Sequence, residues 1–183
     1  MFDRMPGPPR PRTFVHPGPF GAVRIETLCA SEGRHFRLAL PSGSSLHDGI
    51  VDALAGVGVR NASMTLIDGD LDALSFCLAR ADITRRVVAT YTSPQSVRGA
   101  RFIFGNATLG KSSSGAPVVH CHAVFRMGDG KVRGGHLLTE QCIVGAQPVM
   151  VVATSLDGFD LRIGYDEETH MPLMRPRSEI QHA

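Results

Sequence analysis

Apolar and polar residues alternate along several short segments between residues 36 and 155, and a period of two residues is typical of β-strands. In the first segment Phe36, Leu38 and Leu40 are apolar, and Arg37 stands between them. The same pattern predicts further strands near residues 62–66, 74–78, 87–91, 102–104, 118–127 and 143–155, the last one broken or bulged at Pro148. Most of the chain is therefore expected to form a sheet.

One segment has a helical period instead. Leucine or isoleucine occupies every fourth position of 46–54, so these side chains fall on one face of a helix. Ser45 is suited to cap its first turn, and Asp48 stands where a capping box places an acidic residue. Gly56 and Gly58 are expected to end the helix. One main helix among many strands predicts a single α+β domain with a mostly antiparallel sheet.

Composition limits the classes of function. The 183 residues are 43% hydrophobic and 20% charged, which is typical of one globular domain. A net charge of +2 lacks the dense positive charge that contact with many phosphates requires. The longest apolar stretch, Pro148–Ala153, is far shorter than a membrane span, and the N-terminus has no apolar secretory segment. These features predict no membrane partner and a cytoplasmic protein.

The first 32 residues are expected to form an irregular arm and lead-in, because six of the twelve prolines fall within residues 1–20. The four cysteines are widely spaced and contain no Cys-x-x-Cys pair, so we predict reduced thiols that are mostly buried. The stretch 105–112, GNATLGKS, matches the spacing of a phosphate-binding loop, but no amphipathic helix follows it. We therefore predict no ATP site.

Three histidines form the most informative pattern. In the strand at 118–127, His120 and His122 have the same parity, so they point together away from the core side that Cys121 faces. If the Gly128–Gly130 turn folds the chain back, His136 arrives from the next segment. Three imidazoles would form a facial site for zinc or a similar divalent ion, with a position left open.

An alternative interpretation of the same residues is that the paired histidines are polar positions on the wetter face of a strand. Glu140 is the nearest downstream carboxylate and is a candidate general base or partner of a ligand, although an exposed turn residue has the same pattern. The remaining histidines have no spacing that assigns them to a site.

Four stretches of the chain resemble the plant and prokaryote conserved (PPC) domain, which occurs in plant AT-hook proteins and in stand-alone bacterial and archaeal proteins. They are FRLALPSGSSLHDGIVDALAGVGVRNASMTL, ARFIFGNATLG, HCHAVFRMGDGKVRGGHLL and GAQPVMVVATSLDGFDLRIGYDEE. The run Gly-Asp-Gly-Lys-Val-x-Gly-Gly-His is the most specific part. The resemblance places the domain at residues 33–168 and leaves 169–183 as a C-terminal tail.

The resemblance implies a homotrimer whose strand-rich faces form the subunit interface. It also implies a metal site, because similar bacterial members carry His-x-His and Gly-Gly-His, here His120, His122 and His136. The fold looks related to that of acetolactate decarboxylase, which holds zinc through three histidines. A metal-dependent lyase or hydrolase acting on a small molecule is therefore an alternative function, and a regulatory protein-interaction trimer is another.

DNA binding is implied by the name that the family carries. In the plant proteins DNA contact resembles the work of a separate Arg-Gly-Arg-Pro hook, and this sequence contains no such core. The low net charge adds no support for a phosphate-binding surface. Sequence alone thus predicts a trimeric PPC-type protein with a three-histidine metal site and a DNA role that rests on the family name.

Overall fold

The computed structural model describes residues 14–23 and 25–178, and the predicted proline-rich arm lies partly outside them. The described part has twelve strands, one α-helix and one 3₁₀ turn at Thr139–Gln141. The helix is α1 (Leu46–Ala55), and the strands are β1 (His35–Leu40), β2 (Ala62–Ile67), β3 (Asp70–Cys77), β4 (Ala79–Ala81), β5 (Ala89–Tyr91), β6 (Gln95–Lys111), β7 (Pro117–Met127), β8 (Val132–Leu137), β9 (Ile143–Val144), β10 (Val149–Ser155), β11 (Phe159–Asp166) and β12 (Met171–Ser178). The predicted α+β class is confirmed.

Ten strands form one sheet, in which the order β1-β10-β2-β6-β7-β8-β3-β9 is antiparallel throughout. Strand β6 is 17 residues long and pairs with β2 through its second half and with β3 through its first. Because β3 also pairs with β8, the strands β6, β7, β8 and β3 close into a ring. This closure draws β8 tightly between β7 and β3.

Helix α1 covers the inner face of the sheet, and its ends follow the sequence prediction. The Ser45 hydroxyl accepts a hydrogen bond from the backbone N–H of Asp48 at 2.9 Å, and the chain leaves the helix through Gly56 and Gly58. The positive φ of Gly58, 71°, is a conformation that favours glycine. The apolar face of the helix is fully buried against the core strands.

A β-bulge interrupts β6 opposite Phe125 and Val124. It changes the face of the sheet to which the following side chains of β6 point. The pairing register shifts between Phe102 and Phe104, so Ile103 is left as the extra residue. Phe102 is fully buried, whereas Phe104 is 45% exposed on the outer face. Alternation along an unbroken strand would put both phenylalanines on one face, and the bulge instead puts them on opposite faces.

One hairpin extends the main sheet, and a second forms a small sheet of its own. Strands β11 and β12 pair along their whole length, so the segment assigned to a C-terminal tail, residues 169–183, contains a strand at Met171–Ser178. Strands β4 and β5 form a separate two-stranded hairpin beside β8. Among the described residues no helix has the length and apolar character needed to cross a membrane.

Candidate metal centre

Strand β7 separates buried and outward side chains as its sequence predicts. Cys121 and Phe125 are fully buried in the core, while His120 and His122 lie on the outer face of the sheet. The parity of the strand alone gives this arrangement, because consecutive side chains point to opposite faces. Two imidazoles two residues apart are thereby presented side by side, with ring centroids 4.9 Å apart.

The third imidazole comes from the next strand. His136 lies directly opposite His122 in the β7–β8 register, so both side chains leave the sheet on the same face. Its ring centroid is 4.8 Å from that of His120 and 5.2 Å from that of His122. The three candidate ligand nitrogens lie within 4.8 Å of one another. The structure thus brings the three histidines together, as the spacing predicts.

Two glycines precede His136 and allow β8 to sit between its neighbours. A Cβ atom at Gly135 would come within 2.8 Å of Phe76 Cδ2 and 2.9 Å of the Cys77 carbonyl oxygen on β3. These distances are shorter than any normal van der Waals contact, so only glycine fits. The close approach of β8 to β3 fixes the height of the neighbouring histidine above the sheet.

Burial lowers the pKa of two of the three imidazoles, His120 and His136. The pKa of His136 is lowered to about 4 by burial and then by the two neighbouring imidazoles. Burial is also the first cause of the lowered pKa of His120, followed by His122. At neutral pH these two rings are therefore uncharged, which is the form that binds a metal ion.

One buried nitrogen of the triad has no hydrogen-bond partner among the described residues. The Nδ1 atom of His136 is buried and has no hydrogen-bond partner in the described part of the chain. Leaving a buried nitrogen unsatisfied costs about 1–3 kcal/mol. Coordination of an ion by the triad would supply the partner that this ring lacks, so the residues fit a metal site.

Glu140 does not join the triad. It is exposed in the 3₁₀ turn, which packs against α1 on the inner side of the sheet, whereas the histidines occupy the outer face. The cluster of potential ligands found among the described residues contains three histidines and no carboxylate. Cys121 points into the core, where burial raises the pKa of its thiol to about 12, so it is no ligand.

The surroundings of the triad include residues that the sequence analysis did not select. Phe104 and Asn106 of β6 stand on the same outer face, and Asn106 lies directly opposite His122. The ring of Tyr91, from the β4–β5 hairpin, lies 5.2 Å from the ring of His136. Only the β6–β7 register and the closure of the ring of strands bring these residues beside the triad, so no local pattern could indicate them.

The stretch 105–112 that matches a phosphate-binding loop has another role. Residues 105–111 belong to β6, and a turn at 112–116 leads into β7 rather than into a helix. Phosphate binding by such a loop requires the N-terminus of a following helix. The matching residues instead form the strand that pairs with the histidine-bearing β7.

Residues 28–157 match the family model of the Plants and Prokaryotes Conserved (PCC) domain, the family abbreviated PPC above. The chain belongs to this family. The match includes all three histidines and every strand of the PPC domain from β1 to β10. A comparison with curated protein sequences finds no significant match.

Solved structures share the PPC fold at low sequence identity. A metal-containing protein from Archaeoglobus fulgidus is 19% identical, with a TM-score of 0.63 over 84% of this chain and 99% of that chain. A plant- and prokaryote-conserved protein from Pyrococcus horikoshii is 17% identical, with a TM-score of 0.62 over 81% and 97%. A putative DNA-binding protein from Ralstonia eutropha JMP134 is 19% identical, with a TM-score of 0.61 over 76% and 89%.

Proposed function

We propose that this PPC-domain protein binds one divalent metal ion per subunit through His120, His122 and His136. The observation that carries the proposal is the convergence of three imidazoles, and the buried Nδ1 of His136, which has no hydrogen-bond partner among the described residues, adds to it. The protein from Archaeoglobus fulgidus that shares this fold is described as metal-containing. The triad supplies binding, and an ion held there would act as a Lewis acid.

The donor set favours zinc. Three neutral imidazoles without a carboxylate are poor ligands for magnesium or calcium, which prefer oxygen donors, and suit zinc and neighbouring transition metals. Zinc–nitrogen bonds of about 2.1 Å in a tetrahedral site place nitrogens about 3.4 Å apart, so modest ring rotations would complete the site. Three protein ligands leave a position open for water or another molecule.

Elemental analysis tests the metal site. Protein purified without a histidine tag and loaded with one equivalent of zinc should retain about one ion per subunit after desalting. The double variant His120→Ala/His122→Ala should retain none. His35→Ala is the matched control, because His35 is an exposed histidine on β1 whose Nδ1 contacts Thr154 and lies outside the triad. Equal zinc content in both variants would contradict the proposal.

We also propose that the protein assembles as a homotrimer through strand-rich faces. The outer face of the sheet supports this, because Ile67 of β2 and Val152 of the adjacent β10 are each about 45% exposed. Exposed apolar surface of this kind is typical of protein contacts. Light scattering coupled to size-exclusion chromatography should give a mass three times that of the 19.6-kDa chain, and a monomeric mass would contradict the trimer.

DNA binding is the second candidate function, and the β4–β5 hairpin favours it. Arg80, Arg85 and Arg86 are exposed there, and among the described residues none of them forms an ion pair. Ile83 at the tip is 95% exposed, and the Asp82 carboxylate fixes the loop by accepting hydrogen bonds from Thr84, Arg86 and Val87. Arginines beside an apolar wedge are a combination that enters DNA grooves.

Salt dependence tests this second candidate. Fluorescence anisotropy with a labelled duplex should show binding that weakens steeply between 50 and 200 mM salt, because arginines that contact phosphates release bound counterions from the DNA. Arg85→Ala/Arg86→Ala should reduce the slope of log affinity against log salt by about two. The control is Arg98→Ala/Arg126→Ala, which removes two exposed arginines outside the hairpin. No binding at 50 mM salt, or equal effects of both pairs, would exclude the hairpin.

A further inference from the structure

Two cavities flank the histidine triad on the outer face of the sheet. The larger has a volume of about 440 Å³ and reaches His122 and His136, and the smaller, of about 320 Å³, reaches His120 and His122. His122 and Asn106 line both, so they stand on the ridge between the two spaces. An ion held by the triad would therefore face a divided site.

The larger cavity is mostly apolar. Leu78, Phe104 and Val124 contribute side chains that are about 40% exposed, and the absence of a side chain at Gly134 keeps its floor open. A Cβ at that glycine would lie 3.3 Å from the Ala123 carbonyl oxygen and 3.7 Å from Val124 Cγ2. Such walls stabilise an apolar group of a ligand by removing it from water.

The smaller cavity offers hydrogen bonds. Ser63, Thr65 and Thr108 place hydroxyl groups around it, next to the Asn106 amide. The Asn106 carbonyl oxygen accepts a hydrogen bond from the Thr65 hydroxyl at 3.5 Å, and the amide nitrogen of the same side chain is a further donor. These neutral groups can bind a carbonyl or hydroxyl oxygen, and none of them carries charge.

The charge of the bound ion determines which ligand charge fits the site. Three neutral imidazoles leave the full double charge of a divalent ion uncompensated, and no acidic residue lines either cavity. An anion beside an uncompensated divalent charge gains Coulomb energy that a neutral ligand does not. The ligand that best fits this charge is therefore an anion.

We propose that the metal-loaded site binds a small carboxylate that carries a second oxygen on its α-carbon and one apolar substituent, from branched alkyl to phenyl. This inference rests on the proposed metal site. The carboxylate balances the ion, the apolar substituent lies in the cavity lined by Phe104 and Val124, and the second oxygen hydrogen-bonds in the cavity lined by Thr108. Such a ligand would occupy both cavities. A purely structural ion would leave them without a function.

Calorimetry with three related probes tests the ligand class on the intact protein loaded with one zinc per subunit. Mandelate carries the carboxylate, the α-hydroxyl and a phenyl ring, glycolate lacks the ring, and phenylacetate lacks the hydroxyl. We expect mandelate to bind at least tenfold more tightly than either of the others, since each loses one set of contacts. Protein treated with EDTA should bind none of them.

Variants of the residues that line the two cavities test whether those residues contact the ligand. Phe104 and Ile67 lie opposite each other in the β2–β6 register and are both 45% exposed, but only Phe104 lines the cavity. Phe104→Ala should weaken mandelate at least tenfold and leave glycolate unchanged, whereas Ile67→Ala should change neither. Thr108→Val should weaken mandelate and glycolate but not phenylacetate. Each zinc-loaded variant is first checked for its oligomeric state.

The outcomes separate the two proposals. Protein that retains zinc but shows no preference for mandelate overturns the ligand class and leaves the metal site standing. Equal losses in Phe104→Ala and Ile67→Ala, or mandelate binding that survives EDTA, also overturn it. Protein that retains no zinc overturns both the metal site and this inference.

Discussion

Replacing Gly135 by alanine should both destabilise the protein and weaken its metal site. The new Cβ would meet Phe76 Cδ2 at 2.8 Å and the Cys77 carbonyl oxygen at 2.9 Å. Normal contact of carbon atoms begins at about 3.5 Å, so β8 and β3 would have to separate by about 0.7 Å. The carbonyl oxygen belongs to backbone and cannot rotate away, so the strand pairing takes the strain. We expect a loss of about 1–3 kcal/mol in the free energy of unfolding.

The same displacement moves His136, the next residue along β8. A metal site tolerates errors of about 0.5 Å in its ligands, so zinc affinity should fall by about tenfold or more. Urea unfolding in EDTA measures stability without the metal, and competition with a chromophoric chelator measures zinc affinity. Gly134→Ala is the control, because its Cβ would meet only the Ala123 carbonyl oxygen at 3.3 Å and Val124 Cγ2 at 3.7 Å. Equal behaviour of the two alanine variants would refute the close-approach argument.

Three further predictions concern stability. With EDTA present, the free energy of unfolding should fall by about 3 kcal/mol as the pH drops from 6.5 to 4, because His136 has a pKa of about 4 when folded and an ordinary pKa when unfolded. The unfolded chain therefore takes up the proton first. Urea unfolding at several pH values measures this dependence, and His136→Gln should flatten it. Ser45→Ala should cost about 0.5–2 kcal/mol through the lost helix cap, whereas Ser45→Asn should recover most of it in thermal unfolding. Phe125→Ala should cost about 3–5 kcal/mol, since its fully buried ring lies 4.8 Å from that of Phe76, while Val132→Ala at an exposed position should change little.

Local patterns predicted the elements that depend on near neighbours in the chain. The helix needs only its apolar period and the Ser45 cap, and both are short-range features. The parity of His120 and His122 follows from the pleat of a single strand. The Gly128–Gly130 turn is likewise local, and it places the following strand beside β7.

The environment of the triad depended on contacts between distant segments. Phe104 reaches the outer face because a bulge shifts β6 against β7, whereas alternation along an unbroken β6 would put it on the same face as the buried Phe102. Asn106 is opposite His122 only in the register that the finished sheet adopts. Tyr91 approaches His136 from a hairpin 45 positions earlier in the chain, and no periodicity links them.

The amino-acid sequence by itself determined the strand-rich class, the single capped helix and the face on which the paired histidines stand. The tertiary structure decided that β3 closes a ring with β6, β7 and β8, and that Glu140 lies on the other side of the sheet from the triad. The physical reason is the separation along the chain of the residues that interact. Side-chain direction follows from backbone geometry within a few residues, whereas register, bulges and closure minimise the free energy of the whole sheet at once.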